Sequence, residues 1–401
     1  METFFAVCQP GLEPWIAEEL RAVLPPGSEI GPVSAPALDA AAEDGGVEFK
    51  GEWAALYRAN LYLRTVNRVL AQVGNFRAAN NEEFRRRAST LNWRRYLSPG
   101  QNVVIRVTCR KSKLFHPGQV AEQLVAAISE RLGGAVTQSH PKHADGGTPP
   151  QLIIVRIIDN RCTISVDSSG VMLYKRGYRP AIAKAPLRET LAATLLLASG
   201  WDRLSPLLDP FCGSGVIPIE AAMLAVGIPP GLNRRFAFMD WPGFDEVLWK
   251  ILLTEATQTP RRECPPIFGS DRDAGAVRMA AQNAERAGVA HCIQFTHCAV
   301  SSIAPPPPPG WIVTNPPYGV RITSKHDLRN LYAQFGNVLR ALCPTWNVNV
   351  LSNDLTLLGQ MKIKLDTSIG LENGNIRVRF ARGRVPAVAP SIPTEDSAPH
   401  T

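Results

Sequence analysis

One stretch limits the possible folds more than any other: an apolar segment, residues 206–209, runs directly into Pro210-Phe211-Cys212-Gly213-Ser214-Gly215 and then into a helical pattern over 216–226. A glycine turn between a short buried strand and a helix lets backbone approach a ligand closely, and it lays the helix back on a sheet. The segments that follow repeat this grammar. Residues 267–271 read as a strand and 274–287 as a helix closed by Gly288. Residues 293–297, 311–315 and 347–352 read as further strands, and 376–382 as a late one. Strand–helix alternation of this kind predicts an α/β, doubly wound, mostly parallel sheet.

The first half is written differently. Residues 3–8 read as a strand and 12–24 as an amphipathic helix ended by Pro25-Pro26. Residues 53–61, 81–87 and 120–132 carry helical spacing, and 103–109, 152–158 and 162–168 carry strand patterns. Mixed order predicts small α+β units here. A basic connector, YKRGYRPAIAK at 174–184, separates the halves. Three segments read as irregular: the insertion 227–266, the proline run 305–309, and the Pro/Ser-rich tail 385–401, which is expected to be disordered.

Charge adds a partner class. Of the net +8, residues 1–185 hold 23 Lys+Arg against 17 Asp+Glu, and residues 186–401 hold 20 against 18. A basic excess in one half points to a polyanion, because surface cations replace counterions around phosphates. No apolar run is long enough to span a bilayer, and no basic segment precedes an apolar core at the N-terminus, so a cytoplasmic chain with no membrane role is expected. Eight cysteines occur singly with no CxxC, which predicts reduced, mostly buried thiols. His291 and His297 lie near Cys292 and Cys298, but their spacings match no zinc pattern, so no metal is expected.

Two motifs carry chemistry. Asp271 ends the strand after the glycine turn, where a carboxylate can accept both ribose hydroxyls of an adenosine. A dinucleotide is disfavoured: Pro218 stands at or beside the third glycine of GxGxxG, and the acid lies far beyond the expected ~20 residues. In the second motif, Asn315-Pro316-Pro317-Tyr318 follows an apolar strand at the edge where α/β sheets bind ligands. The prolines stiffen the loop, so the Asn315 amide oxygen and the Pro316 carbonyl can both accept from an amine, and Tyr318 offers a stacking face. An exocyclic amine is a weak nucleophile because its lone pair is delocalised. Two acceptors on its hydrogens localise that pair toward an in-line sulfonium methyl. By itself the motif admits adenine, guanine or glutamine as acceptor. Cys212 reads as a small packing residue, so no cysteine is placed to attack a pyrimidine.

DPFCGSGVIPIEAA, GSDRD, NPPYG and the preceding YKRGYRPAIAKAPLRETLAA resemble the THUMP-domain-containing class I RNA methyltransferases that make N2-methylguanosine, nearest the bacterial 23S rRNA branch. The resemblance implies a ferredoxin-like piece at 1–65, a THUMP module at 66–170, a linker at 171–185 and a Rossmann-like methyltransferase domain with a mostly parallel seven-stranded sheet at 186–384. It implies S-adenosyl-L-methionine (SAM) held by Asp209, Phe211, Cys212, Gly213, Ser214, Gly215, Asp271 and Arg272, with Glu220 and Thr190 bordering its methionine part. Asn315, Pro316, Pro317 and Tyr318 would grip a flipped guanine. Arg110, Lys111 and Lys113, with Lys175, Arg176 and Arg179 of the connector, are the candidate RNA contacts. Members often carry an acid after the third strand for the adenine amino group; here the stretch reads His297-Cys298-Ala299. Arg85-Arg86-Arg87 and Arg94-Arg95, with Trp93 and Tyr96, read either as an RNA track or as a solvated helix face. The partner expected is RNA, 23S rRNA ahead of tRNA, with the chain a monomer. Glutamine-N5 methylation of a protein and a non-catalytic RNA scaffold are the rival readings.

Overall fold

A computed structural model describes residues 1–32, 45–139, 149–179, 187–258, 263–318, 325–373 and 376–387. In chain order its elements are β1 (Glu2–Cys8), α1 (Glu13–Val23), β2 (Glu29–Ile30), β3 (Gly45–Gly51), α2 (Trp53–Tyr62), β4 (Arg68–Arg77), α3 (Asn81–Ser89), β5 (Asn102–Arg110), α4 (Pro117–Leu132), β6 (Thr137–Gln138), β7 (Gln151–Ile158), β8 (Arg161–Asp167) and α5 (Glu189–Ala198). There follow β9 (Leu207–Asp209), α6 (Val216–Val226), α7 (Glu246–Gln258), β10 (Ile267–Asp271), α8 (Ala274–Arg286), β11 (Ile293–His297), β12 (Trp311–Thr314), α9 (Lys325–Leu342), β13 (Asn347–Ser352), α10 (Leu355–Gln360), β14 (Leu365–Asn373) and β15 (Ile376–Arg384).

Contacts divide the chain into two compact units, residues 1–197 with 226–263, and residues 198–225 with 264–401. The first is built on an eight-stranded sheet in the order β2-β3-β1-β4-β8-β7-β5-β6. Alternation makes it two-faced. Phe4, Ala6, Phe49, Val69, Ile153, Val155, Ile157 and Ile164 are all buried, and α1 to α4 pack on that side. The helices begin where the sequence allows: Asn80 caps α3 by accepting from the Glu83 amide at 2.8 Å, and Pro117 opens α4, which Gly133 closes at φ +73°.

The insertion expected to be irregular is partly ordered and belongs to this first unit. It contributes α7 and an aromatic cluster. Phe238 stacks on Tyr57 at 4.6 Å and on Phe236 at 5.3 Å, and Trp241 meets Tyr96 and Trp53 edge-on. The Trp241 indole donates to the Gln151 side chain at 2.8 Å, so its one polar atom is satisfied. Arg234 donates to the carbonyls of Val171, Met172, Leu173 and Lys175, which pins the start of the connector. Residues 180–186 lie outside the described residues, as do 388–401 of the tail.

The second unit carries a seven-stranded sheet ordered β11-β10-β9-β12-β13-β15-β14. β11, β10, β9, β12 and β13 run parallel, and β15 pairs antiparallel with both β13 and β14. This is the mostly parallel sheet expected. Ile312, Phe335, Leu339, Trp346, Val348 and Val350 form its core with no exposed surface. Cys264 and Cys292 are joined as a disulfide, where reduced thiols were expected; their positions just before β10 and β11 bring the two Cα atoms to 5.4 Å. His291 Nε2 lies 3.4 Å from Cys292 Sγ, so the residues that cluster are Cys264, His291 and Cys292, without His297 or Cys298. Among the described residues no helix is long and apolar enough to cross a membrane.

Candidate active site

β9 has β10 on one side and β12 on the other, all parallel, so connections leave the sheet centre in opposite directions. A crevice opens beyond the C-terminal ends of the two strands at such a switch point. The glycine turn leaves β9 there and Asn315 leaves β12 there.

The turn is held by its two acids. Asp209 is 1% exposed, and its Oδ1 accepts from the Thr314 hydroxyl at 2.6 Å and from the Phe211 amide at 3.2 Å. Burial, helped by the Asp271 charge, raises its pKa to about 7 against the pull of those two donors. Asp271 sits half-exposed at the rim; its Oδ2 accepts from the Gly213 amide at 3.0 Å and its Oδ1 from the Asp273 amide at 3.0 Å. The turn carries two left-handed glycines, Gly213 at φ +52° and Gly215 at φ +83°. A Cβ on Gly215 would meet the Ala280 Cβ at 2.8 Å, so α8 crowds the turn from one side, whereas a Cβ on Gly213 would meet open space. The open side of Gly213 beside the Asp271 carboxylate fits a cofactor that needs close backbone approach and an acceptor.

Phe211 packs edge-on against Phe335 at 5.2 Å. Cys212 is 4% exposed, and burial first and then the Asp209 and Asp271 carboxylates push its thiol far up, so it is no nucleophile. The Ser214 carbonyl accepts from Asn283 at 2.9 Å. Glu220 is buried on α6, and Arg272 is exposed. At the third strand's end the Cys298 amide donates to the Asp271 carbonyl, and His297 Nε2 lies 3.1 Å from the Arg272 carbonyl.

On the β12 side, Pro316 is buried, Pro317 exposed, and Asn315 and Tyr318 half-buried. The Asn315 Oδ1 is shielded from solvent, and among the described residues none donates to it. A buried acceptor left open costs about 1–3 kcal/mol, which a donor reaching this oxygen would offset. The Tyr318 hydroxyl accepts from Asn373 on β14 at 2.9 Å, which fixes the ring. Sequence reading missed Thr314 and Asn373. Thr314 left one signal, a hydroxyl in the last place of an apolar strand; Asn373 left none.

The other candidates divide by burial. Thr190 lies in the first unit, 4% exposed, its hydroxyl 3.4 Å from Asn67 Oδ1. Arg110, Lys111, Lys113 and Lys175 are exposed. Arg176 is withdrawn from an RNA surface: it is 6% exposed and its guanidinium donates to the Leu173 and Arg64 carbonyls. Arg179 is likewise engaged, with Glu189 at 3.2 Å and the Leu187 carbonyl at 3.1 Å. Trp93 and Tyr96 are core residues, and Arg95 stacks 4.0 Å from the Trp53 ring while pairing with Glu2.

Comparison with known proteins places these features. Residues 176–381 match the RMKL-like methyltransferase domain (UPF0020), residues 3–70 the RlmL ferredoxin-like domain and residues 78–167 the THUMP domain. The chain is 34% identical to "Putative RNA methyltransferase slr0064" of Synechocystis sp., over 93% of this chain and 94% of that one. It is 33% identical to the ribosomal RNA large subunit methyltransferase K/L of Methylococcus capsulatus, over 94% of this chain but 50% of the relative, so it spans about half the length of that protein. Among solved structures, "SMU.472, a putative methyltransferase complexed with SAH" superposes with TM-score 0.82 at 30% identity, over 97% of this chain and 99% of that one. TrmN from Thermus thermophilus superposes with TM-score 0.69 at 21% identity, over 96% of this chain and 100% of that one, a likeness of fold. SAH is what SAM becomes on giving up its methyl, so the cofactor is SAM. The chain belongs to the THUMP-containing RNA methyltransferases with an RMKL-like catalytic domain.

Proposed function

We propose that this chain transfers the SAM methyl to the exocyclic N2 of a guanine in 23S rRNA. The observation that carries the reading is the Asn315 Oδ1, a shielded acceptor at the switch point of the sheet to which none of the described residues donates. Bound SAM supplies the electrophilic methyl. Asp271 would hold its ribose, and Asp209, Phe211, Cys212, Gly213, Ser214, Gly215 and Arg272 would surround the rest, with Glu220 toward the methionine.

The chain's own work is to prepare the amine. Asn315 Oδ1 and the Pro316 carbonyl take the two N2 hydrogens, which draws the nitrogen toward tetrahedral and concentrates its lone pair. Tyr318, its hydroxyl held by Asn373, stacks the flipped base so that the lone pair faces the methyl. After transfer the nitrogen carries positive charge, so its proton leaves readily and no strong base is needed. Arg110, Lys111, Lys113 and Lys175 contact RNA phosphate. The large-subunit rRNA reading is supported by relatives named for that substrate, which this chain matches over half their length. The same reaction on tRNA is the second reading, because sister enzymes share this fold.

The test supplies the chain with labelled SAM and separated rRNA, tRNA and protein fractions from a strain lacking the gene, followed by nucleoside analysis. N2-methylguanosine in large-subunit rRNA is expected. Label in tRNA alone sinks the rRNA choice, and label in protein alone sinks the whole reading. Asn315→Ala should cost about 10²–10³ in kcat while SAM binding persists, the range seen for single preorganised catalytic hydrogen-bond partners. Full transfer by that variant sinks the assignment of Asn315.

A further inference from the structure

The face of the eight-stranded sheet that α1 to α4 leave uncovered carries a set of arginines unused by the methyl-transfer site. Along β7, Ile153, Val155 and Ile157 are fully buried, whereas Ile154 and Arg156 are half-exposed and Ile158 is 49% exposed. Strand register turns this alternation into rows. Arg77 on β4 faces Arg161 on β8, which faces Ile158 on β7, which faces Arg110 on β5. Two residues along, Asn75, Thr163, Arg156 and Thr108 form the next row, and beyond it Ser165, Ile154 and Arg106 form a third. Rows on one face of a strand recur about every 6.7 Å.

The face is concave over β1, β4, β8 and β7, with a cavity of about 510 Å³ that Phe5, Arg77, Arg156 and Arg161 help to line. Arg156 lies 5.4 Å from the centre of the Phe5 ring, giving a planar cation beside an aromatic. Arg77, Arg106, Arg110 and Arg161 are exposed; Glu48 and Asp159 are the acids that line the hollow. Arginine in place of lysine matters, because a guanidinium both forks onto a phosphate and stacks on a base. Cations in three successive rows, with Phe5, Ile154 and Ile158 on the same face, suit a strand whose bases are unstacked and available. A duplex would present phosphates alone and leave the apolar members without a partner.

We propose that this sheet face binds an unpaired stretch of the RNA substrate, with Arg77, Arg106, Arg156 and Arg161 on phosphates and a base stacked at Phe5. The proposal rests on the RNA reading above and names the form of RNA that the first unit holds. It is tested on the full chain by fluorescence anisotropy. The probes are a labelled unstructured RNA of about 12 nucleotides, its duplex, and a glutamate-rich peptide, across a salt series. The triple variant Arg77→Ser, Arg106→Ser, Arg161→Ser should bind the single strand at least tenfold more weakly and reduce the slope of log K against log salt by about 2. The corresponding triple lysine variant should keep the slope, which separates lost charge from lost fold. Phe5→Leu should lower affinity about tenfold with the slope unchanged. Wild-type affinity and slope in the triple serine variant overturn the proposal, as does equal or better binding of the duplex or the peptide. Wild-type methyl transfer to RNA, measured alongside, shows whether it is the sheet face or the parent reading that has failed.

Discussion

Asp209 is a buried group whose protonation the fold controls, and its replacement by asparagine has a worked consequence. Its pKa stands near 7 against an ordinary value of 3.8, so the fold prefers the neutral carboxyl. A raised acid pKa means that the native state binds more protons than the unfolded chain between these two values. Native stability therefore falls as pH rises through that window and levels off above it. Between pH 5 and pH 8 the shift amounts to about 3 kcal/mol of lost stability from this one group. An asparagine side chain in its place carries no such charge, and its amide oxygen could still accept from Thr314 and Phe211. Relative to wild type, Asp209→Asn should thus gain about 3 kcal/mol on going from pH 5 to pH 8. Because the chain has two units, the assay should isolate the second: pulse-labelling hydrogen exchange along a urea series, reading only peptides from 207–226 and 311–314. A stability difference that does not change with pH would refute the reasoning, since it would mean that the carboxyl is ionised in the fold across the whole window.

Further outcomes follow from single contacts. Arg68→Ala leaves the Asp167 carboxyl buried without its ion pair and should destabilise the first unit by about 3–5 kcal/mol at pH 8. Asp167 is held near 6, chiefly by burial, so the penalty should shrink at pH 5, where urea unfolding can follow it. Gly215→Ala forces a left-handed alanine against Ala280 and should cost about 1–3 kcal/mol and weaken SAM binding measured by calorimetry. Unchanged SAM affinity there would mean that the turn has room to shift.

The second sheet was largely legible because its strands are short apolar runs punctuated by Gly, Pro and Asp. Periodicity failed where the surroundings decide the structure. β3, with the sequence GGVEFKG, contains three glycines and two charges, and it is a strand because β1 pairs along its whole length. β4 alternates poorly because a register shift between Gln72 and Gly74 breaks the period of two. α7 reads as part of an irregular insertion until the Tyr57 and Phe238 rings give Trp249 a place to pack. At the candidate site the acids and the NPPY segment could be read from spacing alone. The Thr314–Asp209 and Asn373–Tyr318 bonds could not, since their partners lie 105 and 55 residues apart. Nor could the arginine rows be found, because register is invisible until strands are paired.

On the proposed role of Asn315, an amide at this position should serve better than an acid. A carboxylate is the stronger acceptor, and Asn315→Asp keeps the side chain's shape. Yet Thr314, one residue back, is bonded to Asp209, whose carboxyl is already pushed to about 7 by burial, and the Asn315 Oδ1 is itself shielded from water. A carboxyl desolvated at this position would hold its proton into the neutral range. Protonated, it would turn an O–H donor toward an amine that needs an acceptor. Asn315→Asp should therefore be nearly inactive at pH 6 and gain up to tenfold in kcat per pH unit until the new carboxyl ionises, whereas the wild-type profile stays flatter and Asn315→Ala stays low throughout. Single-turnover methyl transfer at saturating SAM from pH 6 to 9 reads this directly. Aspartate activity with the wild-type pH profile would mean that the position is solvated, and an aspartate inactive at every pH would mean that acceptance by this oxygen is not what prepares the amine.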